Sequence, residues 1–209
     1  MKDIPVFTTE FGISSLSLGQ IPYRGVAYVH VRSFETDKLG ELVDECAHFC
    51  RAAGADKVFW TAEGVSATAH SVVYEMRGHV AADPALVENL FPVTEQTVAQ
   101  WRQIHNERMN TVDHAVYLTQ ADEKELLRGN AYFIHNGGKL LGIGWLEDDT
   151  IRTVASIQPG AGERIIHTLL TIAPEDLRLE VASTNFRAIR LYEKLGFVKT
   201  GEIKKWYLK

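Results

Sequence analysis

The period of apolar positions along this chain changes several times, and each change marks an element. "VFTTEFGISSLSLG" and "GVAYVHVRSF" are rich in β-branched and aromatic residues and read as strands. From Leu39 the period becomes helical. Leu39, Leu42, Val43, Cys46, Phe49, Cys50 and Ala53 make one stripe, and Gly54 supplies a stop. "KVFWTA" and "HSVVYEMRG" then read as strands. "HVAADPALVENLFPVT" is expected to cross to a second unit. There Thr94 is placed to cap a helix over "EQTVAQWRQIHNERMN", and Thr119 to cap "ADEKELLR". "VYL" between them is either a short strand or a loop. "AYFIHNGGKLLGIGWLED" predicts a hairpin about a tight primed turn at Asn136-Gly137. "TIRTVASIQ", "LRLEVAS" and "IKKWYLK" come next as strands, separated by helices over "GERIIHTLLTI" and "NFRAIRLYEKLGF".

This order predicts an α/β protein with a mixed sheet. It also predicts two units, residues 1–87 and 88–209. The first unit looks like the middle of the second, although no close sequence repeat links them.

Composition narrows the function classes. The 209 residues are 45% apolar and 23% charged, a globular balance with room for one large domain or two small ones. A net charge of -5 argues against a nucleic-acid partner, because phosphate neutralisation needs a basic face. It suits a cationic substrate such as an amine. Cys46 and Cys50, four apart on a helix, read as core thiols in a reducing compartment. The start has no apolar signal core, and no apolar run approaches the roughly 20 residues of a membrane span. A cytoplasmic protein without a membrane partner is expected. The eight histidines show no metal-ligand spacing, so no metal is expected. Oligomeric state is not legible.

The stretch "NFRAIRLYEKLGF" carries the most specific signal. Ser183, Thr184 and Asn185 are good cap residues directly after a strand, Gly196 fits a left-handed C-terminal cap, and Phe197 can fold back on the core. Those features describe a well-terminated helix in which Tyr192 could serve packing alone. The set Asn185, Ala188, Leu191, Tyr192, Lys194, Gly196 and Phe197, however, resembles the closing motif of the GNAT acetyltransferase family. The element order from about residue 88 onward is similar to that family too. The first half resembles a degenerate, partial second GNAT unit.

The resemblance implies the GNAT acyl-CoA acyltransferase fold: a splayed mixed sheet flanked by helices, with acetyl-CoA in a V-shaped gap between two parallel strands. "TIRTVASIQ" and "LRLEVAS" would be those strands. Asn185 would contact the pantetheine arm or help hold the acyl carrier. Tyr192 would hydrogen-bond the thioester sulfur and protonate the leaving thiolate, which is chemically apt for a phenol. The family's phosphate loop implies Ser156, Ile157, Gly160, Gly162 and Arg164 as further cofactor-binding residues. Gly160 and Gly162 keep a Gly-x-Gly pair that lets backbone N–H groups close on a pyrophosphate. Ile157 stands where the family has Gln or Arg. An ordinary strand-to-helix turn therefore remains an alternative for this loop, and Arg164 is either a phosphate ligand or a solvated helix residue.

A general base must also be found. In "LRLEVAS", Leu177, Leu179 and Val181 share one face, so Glu180 lies on the other. The segment resembles that of the ribosomal-protein N-terminal acetyltransferases, in which the glutamate is the base. The alternative is a strand carboxylate paired with Arg178, Arg152 or another cation. Glu147, Asp148 and Asp149 are either a solvated turn or an attractor for a cationic acceptor. The function expected is an acetyl-CoA-dependent N-acetyltransferase acting on a small-molecule or peptide amine by direct attack in a ternary complex. The competing expectation is a catalytically silent member of the same fold.

Overall fold

The computed structural model describes residues 5–209. The chain divides into two compact units: one reaches Val72 and takes back Lys204–Lys209, the other runs from Val73 to Ile203. The expected border at 87/88 thus falls inside the second unit.

The first unit contains β1 (Val6–Thr9), β2 (Gly12–Ser17), α1 (Ile21–Arg24), β3 (Val26–Phe34), α2 (Leu39–Ala52) and β4 (Lys57–Thr61). Residues expected as one opening strand form a hairpin instead. The hydroxyl of Thr9 takes the N–H of Phe11 at 3.0 Å, a local bond that competes with strand continuation. β1, β2 and β3 pair antiparallel, and β3 pairs parallel with β4. The stripe on α2 packs Leu42, Cys46, Ala47 and Cys50 onto Leu16, Ala27, Val29 and Val58, so both cysteines are core thiols. The other face of β3 carries Tyr28 and His30 against Trp206. Burial there pushes the His30 imidazole down to about 4, leaving it neutral.

The second unit's sheet runs in the order β5 (Ser71–His79), β10 (Asp176–Ala182), β9 (Thr150–Ser156), β8 (Lys139–Glu147), β7 (Ala131–Asn136), β6 (Asn89–Pro92). Its helices are α3 (Val98–Met109), α4 (Glu123–Leu126), α5 (Gly162–Leu170) and α6 (Phe186–Lys194), and β11 (Val198–Leu208) comes last. β5 belongs here because it pairs antiparallel with all of β10, from Asp176↔His79 to Ala182↔Val73. Sequence order concealed this, since the partners lie about a hundred residues apart. β6 lies in the stretch expected to be only a crossing. "VYL" is loop. The β7–β8 turn is centred on Gly137 and Gly138, both with positive φ, one residue later than expected. Of the two expected caps, Thr119 forms a reciprocal box with Asp122, whereas the α3 helix starts after Thr97 with no side-chain cap. Among the described residues, no helix is long and apolar enough to cross a membrane.

Strand alternation distributes the helices over both faces. Leu177, Leu179 and Val181 of β10 pack with Ile166 and Leu170 of α5 and with Ile189 and Tyr192 of α6. Phe133, Ile143 and Ala155 pack with Val98 and Trp101 of α3 on the other face.

The parallel contact between β9 and β10 is brief: Arg178↔Thr150 and Leu179↔Ile151. Directly after it, the β8–β9 register jumps from Leu146↔Ile151 to Trp145↔Thr153, leaving Arg152 as an extra residue. A bulge bends its strand and increases local twist. β9 therefore leaves β10 at Arg152, and Glu180, Val181 and Ala182 have no partner on that side. This is the expected gap, with its physical cause.

Both units use one device beside their parallel strands. A Cβ on Gly142 would lie 2.3 Å from the Ala155 carbonyl oxygen and 2.5 Å from Ile165 Cδ1. A Cβ on Gly12 would lie 2.3 Å from the Ser33 oxygen and 2.9 Å from Leu42 Cδ2. Ile165 and Leu42 are each the fourth residue of their helix. β3 also carries a bulge, at Arg32. The same kind of contact, glycine against the fourth residue of a helix, thus occurs in both units.

Gly142→Ala is expected to destabilise the protein by about 1–3 kcal/mol, because the added methyl meets backbone that cannot rotate away. Gly201→Ala meets nothing within 4 Å and should change stability by less than about 1 kcal/mol. Urea unfolding compares them, and equal midpoints would show that Gly142 tolerates a side chain.

Candidate functional site

The site assembles where β9 and β10 part. α6 begins directly beyond β10. Asn185 caps it, its Oδ1 accepting the Ala188 N–H at 3.3 Å, and Ser183 and Thr184 are not the cap. Thr184 instead donates to Asp113 at 2.9 Å. At the far end Gly196 takes φ 92°, and Phe197 returns into the core at 1% exposure. The ends of this helix are as the sequence predicts. They hold Tyr192 in one core cluster with Ile151, Leu179 and Val181, residues of the two strands near their point of divergence. Its ring meets Phe197 edge-on at 5.8 Å. The ring is thus packed as an apolar group. Its hydroxyl makes no hydrogen bond among the described residues. Burial pushes the phenol up to about 12, so it carries its proton throughout the physiological range.

The loop from β9 to α5 gives its two glycines different tasks. Gly160 has φ 80° and open space around it, so it is needed for its backbone conformation. Gly162 opens α5, and a Cβ there would lie 2.8 Å from Leu191 Cδ2 and 3.4 Å from Ser156 Oγ. Its lack of a side chain lets α6 and the end of β9 close on the start of α5. Ser156, Gly162 and Leu191 are thereby brought together. Ile157 and Gln158 are turned away: both N–H groups donate to the Leu141 carbonyl, at 2.8 and 3.1 Å. Arg164 is turned away too, its Nη1 donating to Glu88. In the first turn of α5 Gly162 is buried and Glu163 and Arg164 are half-buried, and the amides of these three residues have no preceding helical turn to accept them.

Glu180 lies exposed on β10 and, among the described residues, forms no ion pair. The cations that could have claimed it are taken: Arg178 bonds Asp149 at 3.0 Å, and Arg152 bonds Glu147 at 2.7 Å. Two members of the acidic turn are therefore ion-paired to neighbouring strands. Across β5, in register with Glu180, stands Glu75. Arg77 at 2.7 Å and Thr200 at 2.8 Å bond its carboxylate, and the Arg77 hydrogen bond, the larger cause, lowers its pKa. Two carboxylates thus stand side by side on one face, Glu180 on the strand that borders the gap and Glu75 one strand farther away; Glu75 is fixed as an anion and Glu180 is free. Glu75 escaped sequence reasoning because only the β5–β10 register brings it there. The alternation in "SVVYEMRGH" does put it on one face with Arg77. An open cavity of about 260 Å³ lies toward the other end of β10, lined by Arg77, His79, Asp149 and Asp176; it includes the arginine that holds Glu75 but not Glu180.

The chain was compared with known proteins. The model of the acetyltransferase (GNAT) family matches residues 158–197, from the Gly-x-Gly loop to Phe197. A search of curated protein sequences finds no match. Solved structures match over both units at low identity. A GNAT-family acetyltransferase from Colwellia psychrerythraea is 12% identical, with 98% of this chain and 84% of that one covered and a TM-score of 0.53. A GCN5-related N-acetyltransferase from Anabaena variabilis is 11% identical, with 95% and 59% covered and a TM-score of 0.57. N-myristoyltransferase of Saccharomyces cerevisiae, with bound myristoyl-CoA, is 12% identical, with 95% and 66% covered and a TM-score of 0.51. The chain has the GNAT acyltransferase fold, and the resemblance read from residues 185–197 is borne out. The matched family supports acyl transfer from an acyl-CoA as the class of activity.

The state of Tyr192 has a measurable consequence. A phenol whose folded pKa is raised keeps its proton in the folded state after the unfolded state, near 10, has lost it. Its stabilising contribution is complete below pH 10 and is lost as pH rises through about 12. Wild-type stability should fall across that window more steeply than that of Tyr192→Phe, by roughly 2 kcal/mol in total. Parallel curves in urea unfolding between pH 9 and 12 would show that the hydroxyl is freely solvated.

Proposed function

We propose that the second unit is an N-acyltransferase that uses acetyl-CoA as donor and a small-molecule or peptide amine as acceptor. Tyr192 carries this reading: a protonated phenol with an uncommitted hydroxyl, on a ring buried where two parallel strands diverge. A thioester lying in the gap would place its sulfur within reach of such a donor. The amine nitrogen attacks the thioester carbonyl, forming the C–N bond. The C–S bond then breaks, and Tyr192 gives its proton to the departing thiolate. Glu180, free of partners, accepts the proton the amine loses, directly or through water. The proton Tyr192 gave up is replaced from solvent or from Glu180. Asn185 lies between the end of β10 and the start of α6, with its side-chain amide N–H groups uncommitted and available to the pantetheine arm. A covalent relay is disfavoured, because both thiols are buried in the first unit and burial raises them, Cys50 to about 11.

The first unit does not offer a second site. β3 and β4 pair parallel over five residues, Val26↔Lys57 to His30↔Thr61, and β4 ends at its last pair. β3 runs on to Phe34, but β4 has no residue beyond the contact to form a second wall. The loop before α2 reads "ETDK", with two carboxylates and no glycine.

A second reading, a catalytically silent binding protein of the same fold, is favoured by the phosphate loop, where Ile157 and Arg164 turn away. The two readings separate by assay. Acetyl-CoA should raise the melting temperature, since a ligand bound only by the native state stabilises it, and calorimetry should give one equivalent per chain. Tyr192→Phe should then lower kcat for thiol release roughly 10²-fold with acetyl-CoA still bound, and Glu180→Gln should lower kcat as well. Binding without turnover on any amine would favour the silent reading. Turnover unchanged in Tyr192→Phe would remove Tyr192 from the mechanism.

A further inference from the structure

Coenzyme A brings a pyrophosphate and a 3′-phosphate, and the cations expected to meet them are absent from the loop. Ile157 is apolar. Arg164 is committed to Glu88, whose side chain is only 6% exposed. The amides of Ile157 and Gln158 are used by Leu141. The first turn of α5 remains, but it bears a carboxylate, Glu163. Counter-charge must come from another element if the gap holds coenzyme A, the reading on which this inference rests.

α6 is the element in position. The approach of Gly162 to Leu191 Cδ2 fixes which side of α6 faces the start of α5. Residues four before and three after Leu191 lie on that side of the helix, and these are Arg187 and Lys194. Lys194 reaches the first turn of α5, with its Nζ 2.6 Å from Glu163 Oε2. Arg187 lies two turns nearer the start of α6, exposed and in no ion pair among the described residues. Arg187 and Lys194 thus make a cationic stripe beside Leu191, along the entrance to the gap.

We propose that α6 binds the phosphates of coenzyme A through Arg187 and Lys194, together with the first-turn amides of α5, and that Glu163 competes with the ligand for Lys194. A helix N-terminus favours an anion by its unpaired N–H groups and its dipole. Glu163 is an anion already tethered there. A phosphate arriving at the same turn meets its charge at contact distance, where salt screens little. Lys194 can neutralise one of the two, and binding transfers it from carboxylate to phosphate. The family's closing helix would in this chain supply charge that the loop lacks.

The test is calorimetric titration of the full chain with coenzyme A and with S-acetylpantetheine, which has the same thiol arm and no phosphate. Arg187→Gln and Lys194→Gln should each weaken coenzyme A roughly tenfold, the scale of one charge-assisted hydrogen bond, and leave S-acetylpantetheine unchanged. Glu163→Gln should tighten coenzyme A about two- to fivefold, a change of opposite sign that a merely structural ion pair would not produce. Circular dichroism confirms that each variant is folded. Coenzyme A affinity unchanged in both cation variants, or equal weakening of the two ligands, overturns the proposal. A folded wild type that binds neither ligand sinks the reading of the gap itself, and the proposal with it.

Discussion

The second unit depends on how briefly β9 and β10 stay together. Two parallel rungs join them before the extra residue Arg152 turns β9 away. Were the pairing to continue, Glu180, Val181 and Ala182 would be closed by a ladder and the sheet would have no opening. β5 makes the separation tolerable. It pairs with all of β10 from the other side, so β10 stays ordered where β9 has left it. The remaining hydrogen-bonding edge faces the gap, the position from which extended ligands are bound by backbone groups.

Packing around the gap is tight where position matters and loose where conformation alone matters. Gly142 and Gly144 let α5 settle onto β8, and Gly162 lets α6 settle onto the start of α5. Their missing side chains set the distances between helices and sheet, and so the placement of Tyr192. Gly160 has empty space around it and serves a turn. Substituting one or another glycine in this loop therefore perturbs different things. The pair cannot be treated as a single motif with a single purpose.

Charge is arranged just as selectively. Along β10 and β5, Arg178 faces Arg77 in one row and Glu180 faces Glu75 in the next. Like charges directly opposite are unfavourable on a sheet, and here partners along the strand or on the next strand offset the cost for three of the four. Arg77 and Thr200 hold Glu75, and Asp149 holds Arg178. Glu180, nearest the divergence of the strands, is the one left uncommitted. The acidic turn at residues 147–149, which could have been read as an attractor for substrate, serves to anchor Arg152 and Arg178 at the opposite end.

The sequence by itself determined the features set by local chemistry. The stripe of α2, the start and stop of α6, the glycine at 196, the hairpin of β7 and β8 and the buried cysteines all depend on neighbours within a few residues. So did the family likeness, since its motif lies in one helix and its ends. Tertiary structure decided the features that depend on register between distant segments. It placed β5 beside β10, and with it Glu75 beside Glu180. It inserted Arg152 as the residue that opens the gap. It sent Arg164 to Glu88 and brought Lys194 to Glu163. No periodicity within a segment encodes these pairings, because a strand's alternation fixes its faces but not which strand lies alongside.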